Sequence, residues 1–172
     1  MKELPSPTFS LSPIALPRGW FNRSVPLPLA KPVATPVASA IEVSWARNLD
    51  DVRAAQRLRY QVFAVEMGAR LDTKLPGHDV DLFDDYCEHL LVRDQATQEV
   101  IGTYRALTPT QARRAGGTYS DMEFDLTRLR SLRSRMVELG RSCVHADHRQ
   151  GAVILALWGA LAQFMLDTQT QQ

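Results

Sequence analysis

Glu138 and Arg141 are the most informative pair of charged residues in this chain, because they flank Gly140 within an otherwise apolar segment. Residues three apart on a regular β-strand face opposite sides of the sheet. A glycine between them permits a β-bulge, which can direct both side chains into one cleft. A carboxylate in such a cleft can orient an amine and remove its proton. An ion pair at the strand edge is the alternative.

Acidic residues also cluster farther upstream, at Asp81, Asp84 and Asp85. They can hold a cationic amine, or they can be solvated turn residues, which is the interpretation we favour from these residues alone. Arg59 and Arg105 stand in otherwise apolar stretches. Because an arginine is rarely buried without a partner, we expect each to meet a carboxylate of the protein or of a substrate.

A second candidate site lies in residues 145–152, which join a strand pattern to a helix pattern and contain Arg149 and Gly151. Backbone N–H groups at the start of a helix bind anions, and the helix dipole reinforces them. The segment therefore predicts a site for the phosphate or pyrophosphate of a carrier. An ordinary strand-to-helix turn is the alternative.

Metal and nucleic acid are not expected partners. Cys87 and Cys143 each precede a histidine by two positions, whereas zinc sites usually have tighter paired spacings. Residues 128–135 contain four arginines, but no aromatic stacking platform accompanies them, and the net charge of the chain is only +1. An acidic carrier protein or an anionic membrane surface would use the same arginines, and a solvated face is the remaining interpretation.

The elements that position these residues follow from the apolar periodicity and from local cap residues. Asn48 can cap a helix that begins at Leu49, continues to about Glu66 and stops at Gly68. The remaining assignments are strands at 40–46, 87–93, 100–107 and 136–144, a polar loop at 70–86, an irregular segment at 108–135, and a buried helix at 152–166. Strands 87–93 and 100–107 should pair as a hairpin, so we predict an α/β (α+β) fold with a mostly antiparallel sheet.

Composition divides the chain near residue 40. Eight of the ten prolines lie in residues 1–40, so we predict an extended or disordered tail there and one domain at 41–172. With 172 residues, 45% apolar and 23% charged, the chain is not collagen, a disulfide miniprotein or wholly disordered. The helix at 152–166 is apolar on all sides and should be covered on both faces. The other elements cannot cover it, so we expect the chain to be a truncated part of a larger domain.

Several blocks, taken in order, resemble the ornithine–acyl-carrier-protein N-acyltransferases, which are related to the acyl-homoserine-lactone autoinducer synthases. The resemblance extends from about residue 41 to 166. The blocks are residues 58–63, 66–68, 81–84, 87–92, 100–105, 119–126, 138–144 and 149–154.

The resemblance implies a GNAT-like acyltransferase fold with flanking helices and an incomplete sheet. It implies transfer of a 3-hydroxyacyl group from acyl carrier protein to the α-amine of L-ornithine, the first step of ornithine lipid biosynthesis. No cofactor is expected beyond the carrier thioester, which is a co-substrate. We expect a cytoplasmic protein, with peripheral attachment to the anionic inner membrane face as a variant of that location.

The resemblance also implies roles for individual residues. Glu138 would remove a proton from the amine, and Arg141 would complete the catalytic pair. The residues expected to hold the amine substrate and order the site are Arg59, Phe63, Asp81, Asp84 and Arg105. Acyl-pantetheine would be bound by the backbone at Cys143 and Val144, which would supply oxyanion donors, and by Arg149 with the Gly151 turn.

Two alternatives stay open. The first is another GNAT-like acyltransferase, such as an acyl-homoserine-lactone synthase, which would use the same cluster for a different amine. The second is an inactive remnant that only binds carrier protein or membrane. Family members continue past the helix that contains Trp158, so residues that select the amine or the acyl chain are expected to be missing.

Overall fold

The computed structural model describes residues 40–170, so the tail predicted for residues 1–40 lies outside the described residues except for Ala40. The strands are β1 (Ile41–Trp45), β2 (Glu88–Asp94), β3 (Val100–Leu107) and β4 (Glu138–Val144). The α-helices are α1 (Leu49–Tyr60), α2 (Pro109–Ala115), α3 (Ser120–Glu123) and α4 (Ala152–Thr170). A π-helical segment, Gln61–Glu66, extends α1, and 3₁₀ helices occupy Thr127–Arg135 and Ala146–His148.

The four strands form one antiparallel sheet in the order β1-β2-β3-β4, which confirms the predicted hairpin between β2 and β3. Neighbouring residues of β4 face opposite sides of this sheet. Val144 belongs to the apolar cluster that includes Val153 and Leu157 of α4, whereas Cys143 packs with Leu58 of α1. Helices α1 and α4 therefore cover opposite faces.

Helix α1 begins as the sequence predicts. The Asn48 side chain accepts a hydrogen bond from the Asp51 N–H at 3.0 Å, which satisfies one of the free donors at the helix start. The helical backbone continues to Glu66, and Gly68 adopts a positive φ of 73° that ends it. The wider π-helical turns in its last part are not evident from the apolar spacing.

The segment 108–135 is not irregular, and this expectation was wrong. Thr108 and Gln111 form a capping box around Pro109, the first residue of α2, and Gly116 ends the helix in the left-handed conformation. The 3₁₀ helix Thr127–Arg135 follows after α3. The cap residues were present in the sequence, but the arginine-rich composition obscured the short helices between them.

Helix α4 is buried on one face only, which agrees with the expectation that the other elements cannot cover both faces of this apolar helix. Val153, Leu157 and Leu161 pack on the sheet, while Leu155 is 74% exposed and Trp158 is 54% exposed. None of the helices in the described part of the chain combines the length and apolar character needed to cross a bilayer.

Replacing Gly102 with valine is expected to lower the free energy of unfolding by about 1–3 kcal/mol. A Cβ atom at this position of β3 would lie 2.5 Å from Cγ1 of Val153, where α4 approaches the sheet. Urea unfolding checks this loss. Gly159→Ala is the control, because a Cβ there meets no atom within 4 Å and should be neutral or slightly stabilising. Equal stability of Gly102→Val and the native protein would contradict this packing.

Candidate functional site

A cluster of three arginines and three aspartates lies on the face of the sheet covered by α1. The arginines come from three different elements: Arg59 from α1, Arg105 from β3 and Arg141 from the bulged part of β4. The aspartates, Asp79, Asp81 and Asp84, all come from the loop between the π-helical segment and β2. We call these six residues the charge cluster.

Arg59 is the centre of the charge cluster and is 0% exposed. Its Nε lies 3.0 Å from Oδ2 of Asp79, and its Nη2 lies 2.7 Å from Oδ2 of Asp84. The Arg59 Nη2 group also donates to the Asp79 carbonyl oxygen. Gln56, one turn earlier on α1, donates to Asp84 from Nε2 at 2.9 Å. Helix α1 is thereby tied to the loop.

Arg105 and Arg141 extend the charge cluster to the strands. Nη1 of Arg105 lies 2.6 Å from Oδ1 of Asp81 and 2.9 Å from Oδ1 of Asp84. Arg141 spans Asp79 and Asp81 at 3.1 and 3.2 Å. The expectation that Arg59 and Arg105 meet carboxylates is confirmed. The partners are carboxylates of the chain itself.

The favoured interpretation of the loop aspartates as solvated turn residues was wrong for two of the three. Asp84 is only 6% exposed, and Asp81 is half-buried in contact with Arg105 and Arg141. Asp85 is exposed, as a turn residue would be. Since three arginines face three aspartates, the carboxylates of the charge cluster are engaged within the chain, and the cluster fixes the loop against the sheet.

Three further polar residues of this region are buried, and two of them, Asp79 and Gln56, were not singled out in the sequence. Asp79 accepts a hydrogen bond from Arg59 and forms an ion pair with Arg141, and Gln56 donates a hydrogen bond to Asp84. The Nε2 atom of His89 lies 3.0 Å from the Asp84 carbonyl oxygen. Burial lowers the pKa of His89 and outweighs the opposing effect of Asp84, so the imidazole is neutral at pH 7. Only the spacing of Gln56 and Arg59, which share one helix face, could have indicated any of them.

The arginines control the ionisation of Asp84. Burial alone would raise the pKa of this carboxyl, but attraction to and hydrogen bonding from Arg59, with Arg105 adding to them, lower it to about 2. Burial would likewise lower the pKa of Arg105, but its hydrogen bond and attraction to Asp81 raise that pKa above the usual range. Both groups are therefore charged across the physiological pH range.

Acid should weaken the fold through Asp84. Its pKa in the folded protein lies below the usual 3.8, so it stabilises the fold above about pH 4, and this contribution of about 2 kcal/mol disappears as the pH falls from 4 towards 2. Urea unfolding at about pH 5 and about pH 3 measures the loss. This drop in the free energy of unfolding between the two pH values should be smaller in Asp84→Asn than in the native protein. In Asp85→Asn, which changes an exposed residue, it should equal the native value. An equal loss in both variants would contradict the assignment.

The bulge predicted at Gly140 is present. Thr103 pairs with Cys143 and Arg105 pairs with Gly140, so two residues of β4 face the single residue Tyr104 of β3. The strained residue is Arg141, whose φ is +52°. This backbone turns the Arg141 side chain towards the charge cluster.

Glu138 and Arg141 line one small cavity of about 200 Å³, together with Cys87, Arg105 and Tyr119. We call it the polar cavity. The Glu138 carboxylate accepts hydrogen bonds from the N–H groups of Tyr119 and Ser120, both at 2.8 Å, and from the Ser120 hydroxyl. The guanidinium of Arg141 lies 5.0 Å from the centre of the Tyr119 ring. The carboxylate is held rigidly at the cavity wall.

The thiols near the site are not nucleophiles. Burial raises the pKa of Cys87 and of Cys143 to about 12, so both are protonated at pH 7. Within residues 40–170, no group of three or more histidine, cysteine, aspartate or glutamate side chains is arranged to hold a metal ion.

The turn after β4 is partly occupied by side chains of the protein. Arg149 donates from Nε to the Val144 carbonyl oxygen at 3.0 Å and pairs through Nη2 with Glu66 at 2.5 Å. Gly151 has a φ of +97° and lies directly before α4. Arg149 therefore lies at the predicted anion site, but its guanidinium is already paired with the Glu66 carboxylate.

The remaining predicted residues lie apart from the polar cavity. Phe63 is half-buried against Leu58, Val62 and Cys143. In an antiparallel pair, successive backbone amides point to alternate sides of the strand. Because the His145 N–H donates to Ile101 on β3, the Cys143 N–H also faces β3. The Val144 N–H faces the outer edge of β4, which no strand covers among residues 40–170.

The sequence matches the family model for the acetyltransferase (GNAT) domain over residues 58–159. It is 43% identical over 134 residues to an L-ornithine N(alpha)-acyltransferase of Rhodobacter capsulatus, covering 73% of this chain and 51% of that protein. It is 42% identical over 128 residues to the L-ornithine N(alpha)-acyltransferase of Brucella abortus, covering 69% and 46%. The chain spans about half the length of these curated relatives.

Two solved structures share the fold. The CoA-dependent acyl-homoserine lactone synthase BjaI, solved with SAM and isopentyl-CoA, superposes with a TM-score of 0.56 at 26% identity, covering 74% of this chain and 62% of that one. The acyl-homoserine lactone synthase LasI gives a TM-score of 0.51 at 20% identity, covering 75% and 68%. The second similarity supports the fold alone.

Proposed function

Because the chain belongs to the acetyltransferase (GNAT) domain family and aligns with L-ornithine N(alpha)-acyltransferases, we propose that it transfers an acyl group to the α-amine of L-ornithine. We propose a 3-hydroxyacyl thioester of acyl carrier protein as the donor, which makes the reaction the first step of ornithine lipid synthesis. This donor places the reaction in the cytoplasm. The thioester is a co-substrate, and the proposal requires no cofactor.

The observation that carries this proposal is the charge around the polar cavity. The three arginines and three aspartates of the charge cluster balance, and Glu138 adds one more carboxylate, so these seven residues together carry a formal charge of −1. L-ornithine carries two ammonium groups and one carboxylate at neutral pH, hence a net charge of +1. Glu138, the carboxylate left over after the other charges pair, favours a substrate with a second ammonium group over a neutral amino acid.

Glu138 is the group in the polar cavity suited to accept a proton. Only a neutral amine attacks a thioester, so the ammonium must first lose a proton, to Glu138 directly or through a water molecule. The Tyr119–Ser120 turn holds the carboxylate in position for this transfer. Arg141 and Arg105 line the same cavity and can orient the carboxylate of the amino acid.

The acyl group then passes directly from sulfur to nitrogen. The amine forms the C–N bond and the negative charge collects on the carbonyl oxygen. The C–S bond then breaks, and the released carrier thiolate takes up the proton that the attacking nitrogen loses as it becomes an amide. A donor such as the outward-facing Val144 N–H is suited to the oxyanion, an interaction that contributes about 3 kcal/mol in other acyl transfers. The protonated states of Cys87 and Cys143 support direct attack rather than an acyl-cysteine intermediate.

Two basic regions suit the carrier protein. The 3₁₀ helix Thr127–Arg135 exposes Arg128, Arg130 and Arg135, which can meet acidic side chains of a carrier. Arg149 and the Gly151 turn lie beyond the end of β4, where the phosphate of the pantetheine arm would be bound. An anionic membrane surface would be attracted to the same exposed arginines.

Mass spectrometry of the products tests the proposal. The chain is incubated with a 3-hydroxyacyl carrier thioester and either L-ornithine or S-adenosylmethionine. A second sample fuses the chain to the part of the R. capsulatus relative that it does not cover, since the chain spans about half of that protein. We expect N-acylornithine from at least the fusion. An acyl-homoserine lactone would favour the alternative suggested by BjaI, and carrier binding without any acylated product would favour a binding remnant.

A further inference from the structure

A second and larger cleft adjoins the polar cavity. Its volume is about 800 Å³, and it lies between α2, the 3₁₀ helix Thr127–Arg135 and the beginning of β4. Ser120, Glu138 and Leu139 line both the cleft and the polar cavity. The cleft therefore lies directly beside the cavity of the proposed acyl transfer.

The floor of the cleft is mostly apolar. Phe124, Leu129, Met136 and Leu139 are among the residues that line it, and the first three are exposed in the protein. Clefts of about 300–1,000 Å³ with apolar walls and a few polar groups are the usual form of small-molecule sites. This lining suits a hydrocarbon chain.

Arginines give the cleft an excess of positive charge. Three of them line it, against the single carboxylate of Glu138. Arg133 is paired with Asp121, but Arg113 and Arg130 have no carboxylate partner among the described residues. Two unpaired guanidinium groups beside an apolar floor fit an anion attached to the hydrocarbon.

We propose that this cleft binds a long acyl chain with a carboxylate at its head, the chain lying on Leu129 and Met136 and the carboxylate meeting Arg113 and Arg130. An N-acyl amino acid and a free fatty acid share this chemistry. The inference rests on the proposed function in one respect, because the N-acyl amino acid would be the reaction product, bound in the cleft after its carboxylate has left Arg105 and Arg141 of the polar cavity. It also makes Leu129 and Met136 determinants of the acyl length that the cleft accepts.

Equilibrium dialysis on the full chain tests the proposal with three ligands that each carry a dodecyl or dodecanoyl chain: N-dodecanoyl-ornithine, dodecanoate and dodecyltrimethylammonium. We expect the two carboxylates to bind at least about tenfold more tightly than the cation, which has the same chain without an anion. Tighter binding of N-dodecanoyl-ornithine than of dodecanoate identifies the product as the ligand, and the reverse order identifies the fatty acid. Equal binding of all three, or no binding, overturns the proposal.

Matched variants on the 3₁₀ helix locate the site. Arg130→Glu should weaken dodecanoate binding at least about tenfold, whereas Arg128→Glu, which makes the same charge change outside the cleft lining, should change it less than about twofold. Leu129→Asp should likewise weaken binding more than Leu132→Asp. Equal effects within either pair overturn the proposal. Urea unfolding confirms that each variant is folded.

The dialysis contains no acyl donor, so its failure is distinguishable from failure of the proposed function. Selective binding of the carboxylates without N-acylornithine in the transfer assay supports the cleft and contradicts the activity. N-acylornithine formation with equal binding of anionic and cationic ligands supports the activity and overturns the cleft.

Discussion

Replacing Arg59 with alanine is expected to lower the free energy of unfolding by about 3–5 kcal/mol, more than any other substitution proposed for this domain. The substitution removes a fully buried guanidinium and leaves Asp79 and Asp84 without their main partner. An uncompensated buried carboxylate is costly because water cannot solvate it. A domain of this size is stable by only about 5–15 kcal/mol, so the loss is a large share of the total. Urea unfolding at pH 7 measures it.

Arg57→Ala is the matched control for this effect. Arg57 lies two residues earlier on α1 and is exposed, with only a 3.4 Å contact to His78. It should change the free energy of unfolding by no more than about 0.5 kcal/mol. Arg59→Lys should fall between the two, since an ammonium keeps the charge but cannot contact Asp79 and Asp84 through a planar fork. If Arg59→Ala and Arg57→Ala were equally stable, the charge cluster would not hold the fold.

Replacing Glu138 with glutamine is expected to lower kcat/KM for acyl transfer by about 10²–10⁴-fold. The protein to use is the fusion of this chain to the uncovered part of the R. capsulatus relative. Glutamine has nearly the same shape but cannot accept a proton from an ammonium group. Its amide nitrogen would also face the N–H donors of Tyr119 or Ser120, which now share the two carboxylate oxygens. Steady-state rates with ornithine and a carrier thioester measure the loss.

The pH dependence separates proton removal by Glu138 from its support of the Tyr119–Ser120 turn. If Glu138 is the base, the native kcat/KM rises with pH as one group of the enzyme loses its proton. The Glu138→Gln variant lacks this rise and gains rate only at higher pH, where the α-ammonium of free ornithine itself loses its proton. Ser120→Ala removes only the hydroxyl hydrogen bond to Glu138 and should keep the rise while lowering the rate less than tenfold. A Glu138→Gln variant with the native rate would remove the residue from catalysis.

The sheet and helix α1 were predictable because their signals are local. The cap at Asn48 and the apolar spacing along α1 each involve residues within a few positions of one another. The bulge near Gly140 was predictable for the same reason. It also brought Glu138 and Arg141 to one cavity, although the left-handed residue is Arg141 and not the glycine.

The environment of Asp84 was not predictable, because its partners are distant in the sequence. Arg59 lies 25 positions away and Arg105 lies 21 positions away. A polar loop that contains several aspartates has the composition of a solvated turn, and only the packing of α1 and β3 against it decides otherwise. Asp79 was missed for the same reason.

The walls that segment 108–135 contributes to the two cavities could not be predicted from the sequence. The cavity walls combine the predicted strand β4 with α2, α3 and the 3₁₀ helix Thr127–Arg135. The three helices lie in segment 108–135, where no helix was expected. The exposed face of α4 shows a second limit of prediction from the sequence pattern. An apolar sequence predicts burial, but which face of a helix is covered depends on which elements pack against it.

The most direct measurement of the central claim uses L-ornithine labelled with ¹⁵N at the α-amine only. With a 3-hydroxyacyl carrier thioester, we expect tandem mass spectrometry to find the acyl group on the labelled nitrogen. The Glu138→Gln variant should form this product far more slowly under the same conditions. An acyl group on the unlabelled side-chain nitrogen, or product formation at equal rates by the native protein and Glu138→Gln, would contradict an α-amine held beside Glu138 in the polar cavity.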